Sequence, residues 1–266
     1  MSGMLKSGLL RLGINARRRA TAADVLELIG KLQPQDCGKE LIRIGGEGDG
    51  GYLIPDDLDG LEYCFSPGVN TVCDFENDLA SRGIKSFLAD YSVDGPPIIR
   101  PEFVFDKKFL GSSNRGHFFT LASWKGKYLN DYSGDLILQM DIEGCEYEVI
   151  INTPDNLLSQ FRIMAIEFHH LDLLFDPFVY SVFSSCFEKI LENFYVAHIH
   201  PNNVGGSVTL GDIEIPKILE FTFLNKRRVC STKPQRAFPH KLDNRNSTRE
   251  TFHLPKCWYS LGESFR

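Results

Sequence analysis

Residues 21–32 repeat apolar side chains at helical spacing: Val25, Leu26, Leu28, Ile29 and Leu32 share a face behind the cap candidate Thr21. Pro34 closes that segment. Five glycines in seven residues follow, Gly45-Gly46-Glu47-Gly48-Asp49-Gly50-Gly51, ending at Tyr52. Such a run implies a loop or a close backbone approach. Beyond it strand-like and helix-like patterns alternate. Leu61–Val69 reads as a buried strand, Asp74–Ser81 as a helix ending at Gly83, and Ile84–Tyr91 as a second strand. Phe103–Leu110 reads as a third strand, Leu121–Leu129 as a helix, and Asp135–Ile142 as the strongest strand. A short helix over Cys145–Ile151, a strand over Phe161–Phe168 and a long helix over Asp176–Phe194, with Pro177 in its first turn, come next. Val196–His200 and Ile218–Leu224 are the last strands, separated by a loop-like stretch over 202–211.

This alternation predicts a Rossmann-like α/β domain, a mostly parallel sheet with helices on both faces, binding ligands at the carboxyl ends of its strands. The last two strands have no helix between them and are expected to pair as an antiparallel hairpin. The domain spans 21–225. A basic extension over 1–20 (Lys6, Arg11, Arg17, Arg18 and Arg19, with no acid) precedes it, and a basic tail over 226–266 follows, whose segment Lys226–Glu250 reads as a solvated loop or tail.

A chain of 266 residues with net charge −6 can bury a core without staples. Disorder, collagen-like repeats and disulfide miniprotein scaffolds are thereby excluded, and no stretch approaches the ~20 apolar residues of a membrane span. Mild acidity argues against a dedicated nucleic-acid partner. Seven cysteines, an odd number with no CxxC pair, favour a reducing compartment, and a cytoplasmic location is expected.

Candidate chemistry gathers at the predicted strand exits. After the first strand, Phe65-Ser66-Pro67-Gly68 offers a small residue for close ligand approach, and Asp90 ends the next strand, where an acid can bind both hydroxyls of a ribose. Neither GxGxxG nor GxxxxGK[ST] is present. Asp141-Ile142-Glu143-Gly144-Cys145-Glu146 follows the strongest strand, with Asp141 and Glu143 of equal parity. Glu167 and His169 share a face one strand on, as do His198 and His200 after it. An imidazole there suits general-base work. The same residues can hold a divalent metal, but their spacing matches no fixed metal motif, so no metal is assigned.

Taken together, Arg43-Ile44-Gly45 with Asp49-Gly50-Gly51-Tyr52, Phe65-Ser66-Pro67-Gly68-Val69, the DxEGxE step at Asp141–Glu146, and the Ile163–His169 and His200–Asn203 segments resemble the FkbM-type S-adenosylmethionine-dependent methyltransferases over about residues 40–226. The resemblance implies a class I methyltransferase fold, S-adenosyl-L-methionine as cofactor, and O-methylation of a hydroxyl on a sugar, glycolipid or secondary metabolite. It places Asp49, Gly50, Gly51, Tyr52, Gly68 and Asp90 at the cofactor, and Asp141 and Glu143 between cofactor and acceptor. His169 is the expected base, with Glu167 orienting it or acting as a ligand. Many methyltransferases carry an acid at the end of the first strand; here Phe65-Ser66 stands there, and Asp49 is the expected substitute. The competing readings are a nucleotide-sugar or dinucleotide enzyme and a non-catalytic binding module. A small-molecule or glycan acceptor is expected as partner, and no oligomeric state is read from the pattern.

Overall fold

The protein is described from a computed structural model that covers residues 19–260. The basic extension, apart from Arg19 and Ala20, lies outside the described residues. Seven strands form the central sheet: β1 (Tyr63–Pro67), β2 (Lys85–Ala89), β3 (Phe103–Asp106), β4 (Leu136–Met140), β5 (Phe161–Phe168), β6 (Phe194–Pro201) and β7 (Leu219–Asn225). The order is β3-β2-β1-β4-β5-β7-β6. All pairings are parallel except those of β7, which runs antiparallel to both β5 and β6. The chain moves outward from β1 to β3 and then returns to β4 on the other side of β1. That reversal opens a crevice at the strands' carboxyl ends.

Among the described residues, six α-helices accompany the sheet: α1 (Ala22–Lys31), α2 (Asp74–Ser81), α3 (Leu121–Leu129), α4 (Glu146–Asn152), α5 (Asp155–Leu158) and α6 (Pro177–Asn193). Thr21 caps α1 through a reciprocal bond with Asp24, and Asp176 caps α6 ahead of Pro177, so local chemistry starts both helices where the pattern places them. The two faces of the sheet are covered unequally. Phe65, Leu138, Ile166, Phe168 and Phe221 face α1, α3, α4 and α6, whose Ile29, Trp124, Ile150 and Phe187 complete one large apolar layer. On the other face Cys64, Ile137, Ile163 and Ala165 pack with Phe75 and Leu79 of α2, a β-hairpin, and Leu58 and Leu61. Helices therefore lie on both faces, but the hairpin replaces most of the second helical layer.

That hairpin, Leu41–Ile44 paired with Tyr52–Pro55, carries the glycine run as its turn. Sequence periodicity missed its strands because each is four residues long and the glycines dominate the window. The expected third strand splits into β3 and a short piece, Phe109–Leu110, bonded to Phe118–Phe119. The stretch over 202–211, expected as loop, contributes Ser207–Leu210 to a second hairpin with Ile213–Pro216.

Among the described residues, the tail after residue 225 is largely exposed over 226–250 but is fastened to the domain at several points. Lys233–Pro234 pairs with Gln35–Asp36. Trp258 is fully buried against Phe221 and donates its indole N–H to the Glu214 carbonyl at 3.0 Å. The apolar residues that fasten the tail (Phe238, Leu254, Cys257, Trp258) are too sparse to produce a periodic signal, yet each reaches the main core. All seven cysteines are free thiols. No helix among the described residues is long and apolar enough to cross a membrane.

Candidate active site

A cavity of about 590 Å³ opens at the exits of β1, β2 and β4. Gly68 sets its floor. Its φ is +90°, and a Cβ added there would sit 1.5 Å from the Asp141 carbonyl oxygen. Only glycine lets the β1 exit lie against the β4 exit. Asp90 ties the neighbouring exits together. One carboxylate oxygen accepts the Asn70 N–H at 2.8 Å, and the other accepts the Ser92 N–H and hydroxyl, both at 2.7 Å. A carboxylate accepts about four bonds, so Asp90 keeps room for one further donor.

The glycine turn forms the opposite wall. Arg43 draws it inward by donating to the carbonyls of Gly46 at 2.7 Å and Gly48 at 3.1 Å. Asp49, Gly50 and Tyr52 line the cavity. Gly51 does not. It packs behind the wall, where a Cβ would lie 2.1 Å from the Gly46 carbonyl and 2.6 Å from the Arg43 guanidinium.

Glu76, which sequence reasoning passed over, also faces this space. It stands in the buried stripe of α2 with Phe75, Leu79 and Ala80, and a charged residue in an apolar stripe was the available signal. The Ser66 hydroxyl contacts the Glu76 carboxyl and the Gln139 amide oxygen, the latter at 2.7 Å, while the Gln139 amide donates to the Tyr52 hydroxyl at 3.2 Å. One hydroxyl proton cannot serve both acceptors. A protonated Glu76 donating to Ser66 completes the chain, in keeping with burial, which pushes its carboxyl up to about 7. An acid not read from the sequence, Glu76 of α2, thus faces the cavity near the end of β1, together with Asp49.

At the exits of β4 and β5 the acids crowd around one imidazole. His169 Nδ1 lies 3.1 Å from Glu146, which also accepts the N–H groups of Ile142 and Gly144, both at 3.1 Å. Around Nε2 stand Glu167 at 3.4 Å, Glu143 at 3.5 Å and Asp141 at 3.8 Å. The expected trio of Asp141, Glu143 and His169 is therefore brought together. Glu146, rather than Glu167, orients the ring; Glu167 instead accepts from the Asn202 amide. Burial lowers the His169 pKa, but the Glu146 bond and the charges of Glu146, Asp141 and Glu143 outweigh it, leaving it above the ordinary value. Burial raises Asp141 to about 7 against the pull of His169, and holds Glu167 well above the carboxylate range. One oxygen of Asp141 is buried without a hydrogen-bond partner. Asn70 (φ 45°), Glu143 (φ 56°) and His170 (φ 61°) hold left-handed backbone at the exits of β1, β4 and β5, where sites commonly concentrate strain.

His200 does not join this cluster. It stands opposite Glu220 in the β6–β7 ladder and faces Asp243 of the tail at 3.6 Å. Asp141, Glu143 and His169 each offer an atom within 4.8 Å of the others, so they are a set able to hold a cation.

No protein-family model matches the chain. No curated protein matches it. Among solved structures it is similar to a prophage-encoded E. coli protein assigned as a DNA modification methyltransferase, at 12% identity and a TM-score of 0.40, over 62% of this chain. The match spans 47% of that protein's length. At that level the likeness assigns no activity.

Proposed function

We propose that the protein is an S-adenosylmethionine-dependent O-methyltransferase of the FkbM type. The observation that carries this reading is the charge of the cavity. Asp49, Asp90, Asp141 and Glu143 line it beside the protonated Glu76, and among the described residues no Lys, Arg or His does. Such a wall attracts a sulfonium and an ammonium and repels a pyrophosphate, which disfavours the nucleotide-sugar and dinucleotide alternatives. The strand order β3-β2-β1-β4-β5-β7-β6 with β7 reversed, which is the class I methyltransferase arrangement, supports the same reading.

The residues fit the cofactor. Gly68 leaves a cradle that any side chain would fill, Asp90 has capacity for a ribose hydroxyl, and Phe109, Leu110 and Phe118 give the cavity an apolar end suited to a purine. Asp141 and Asp49 suit its cationic groups. When bound, S-adenosylmethionine supplies an electrophilic methyl group. The chain supplies the base. A hydroxyl is a poor nucleophile near neutrality, so His169 Nε2 takes its proton as it reacts. Glu146 keeps Nδ1 occupied and stabilises the imidazolium that results. Asp141, Glu143 and Glu167 accept hydrogen bonds from neighbouring acceptor hydroxyls, which favours a polyhydroxylated substrate such as a sugar or glycan over a phosphorylated one.

Mass spectrometry of ligand retained through purification tests the reading, followed by methyl transfer to a panel of glycans. S-adenosylmethionine or its demethylated product in the retained fraction supports it. Methyl transfer proceeds at an unchanged rate when Mg²⁺ and Mn²⁺ are left out, because His169 carries the proton. A retained dinucleotide or sugar nucleotide would overturn the assignment.

A further inference from the structure

On the far side of Glu220 from His169, a second constellation joins the tail to the sheet. His198 and His200 project from the same face of β6, two residues apart, and Asp243 meets them from the tail. Asp243 Oδ1 lies 2.7 Å from His198 Nε2 and 3.6 Å from His200 Nδ1, and the three ligand atoms lie within 4.8 Å of one another. The bonding around them is incomplete. His198 Nδ1 and both ring nitrogens of His200 are buried without hydrogen-bond partners, an arrangement that calls for a further occupant. Beside them lies a separate cavity of about 270 Å³, bordered by His200, Asp243, Asn203, Phe238 and Phe252.

We infer that His198, His200 and Asp243 form a binding site for a transition-metal ion of the zinc class, with a fourth position open toward this second cavity. The donor set decides the class. Two imidazoles and one carboxylate suit zinc and its first-row neighbours, whereas Mg²⁺ and Ca²⁺ prefer oxygen throughout. The geometry is close to that required. Bonds near 2.0–2.1 Å in a tetrahedral site put ligand atoms roughly 3.3 Å apart. The His200–Asp243 spacing is within a few tenths of an ångström of that, and the His198–Asp243 contact opens by about 0.6 Å when an ion replaces the shared proton. Glu220, opposite His200 in the β6–β7 ladder, adds negative charge, and its carboxyl is held by the Asn246 amide from the same tail. The ion would therefore staple the tail over 238–254 to the sheet edge beside the candidate active site. This inference is independent of methyl transfer.

The test uses the full chain, stripped with a chelator and titrated calorimetrically with Zn²⁺, then with Co²⁺ followed by visible absorption. One tight equivalent is expected, with Co²⁺ bands of a four- or five-coordinate N/O site and a higher Tm on metal addition. His200→Ala and Asp243→Ala weaken binding at least tenfold, while His169→Gln leaves that equivalent in place. Wild-type protein that takes up no Zn²⁺ overturns the site, whatever the variants do. So does uptake that disappears in His169→Gln and survives in His200→Ala, which would assign the ion to the Asp141 cluster. If Asp243→Ala unfolds, His198→Gln and His200→Ala carry the comparison.

Discussion

The exits of β1 and β2 and the exits of β4 and β5 lie side by side on one edge of the sheet, yet they are built in opposite ways. Around Gly68 and Asp90 the polar groups are occupied: Asp90 accepts three hydrogen bonds, and the Gly68 N–H is taken by the Ala89 carbonyl. Around His169 four carboxylates crowd one imidazole, and Asp141 and Glu146 each keep a buried oxygen unpaired. The first region is a braced wall whose shape, set by Gly68, leaves an open cradle. The second stores unsatisfied charge, and such charge is what a proton-transfer site requires.

Gly68→Val attacks the wall most severely. Strain at a positive φ and a collision with the Asp141 backbone together cost about 3–5 kcal/mol. A fall in Tm of ~10 °C or more is expected, with loss of cofactor binding. A stable, ligand-binding Gly68→Val protein would show that the two exits need not touch.

His169→Gln attacks the other region and leaves the wall intact. The expected result is a kcat lower by ~10²–10⁴ with cofactor affinity within about twofold of wild type. Since the base must be unprotonated and its pKa stands above 6.5, the wild-type rate falls as pH drops through a midpoint above that value. Glu146→Gln removes the chief contribution raising it and moves the midpoint lower. A wild-type rate independent of pH from 6 to 9 would remove His169 from the role.

How much of this arrangement could be read from the chain differs between the two regions. Gly68, Asp90, Asp141, Glu143 and His169 all sit at strand exits, and strands such as Phe161–Phe168 announce themselves through unbroken apolar runs. Parity then brings Asp141 and Glu143 to one side. Glu146 was not legible as a site residue, because it stands inside a helix where an acid near the N-terminus is ordinary, and Glu76, whose only signal is its place in an apolar stripe, is masked by the same position. The contacts of the tail were not legible for a different reason. Asp243 and Asn246 work through His198 and Glu220, partners 45 and 26 residues away, and no local pattern encodes such pairings.

Glu76→Gln sharpens the comparison where wall and cluster meet. Folded Glu76 titrates near 7 against 4.5 for the free group, so the native state binds more protons between those values. Its contribution to stability therefore declines as pH rises from about 4.5 to about 7 and is level above that. The variant, whose amide donates to Ser66 at every pH, is expected to be the more stable protein at pH 8 by up to ~3 kcal/mol, with the gap closing at pH 5. A gap independent of pH would contradict a protonated Glu76.

Asp90→Asn has the smallest expected effect. One acceptor oxygen becomes a donor facing backbone N–H groups, costing ~1–3 kcal/mol in melting experiments, and S-adenosylmethionine binding weakens about tenfold. Unchanged affinity would leave Asp90 as a brace alone.

The central claim is that an acidic cavity, with no cationic side chain in its lining among the described residues, selects a cationic cofactor. Calorimetric titration of the purified chain with S-adenosylmethionine and, in parallel, with NAD⁺ and a uridine-diphosphate sugar tests it most directly. The account predicts saturable heat with S-adenosylmethionine, abolished in Gly68→Val, and none with either pyrophosphate ligand. Saturable binding of a pyrophosphate ligand, with none of S-adenosylmethionine, would contradict it.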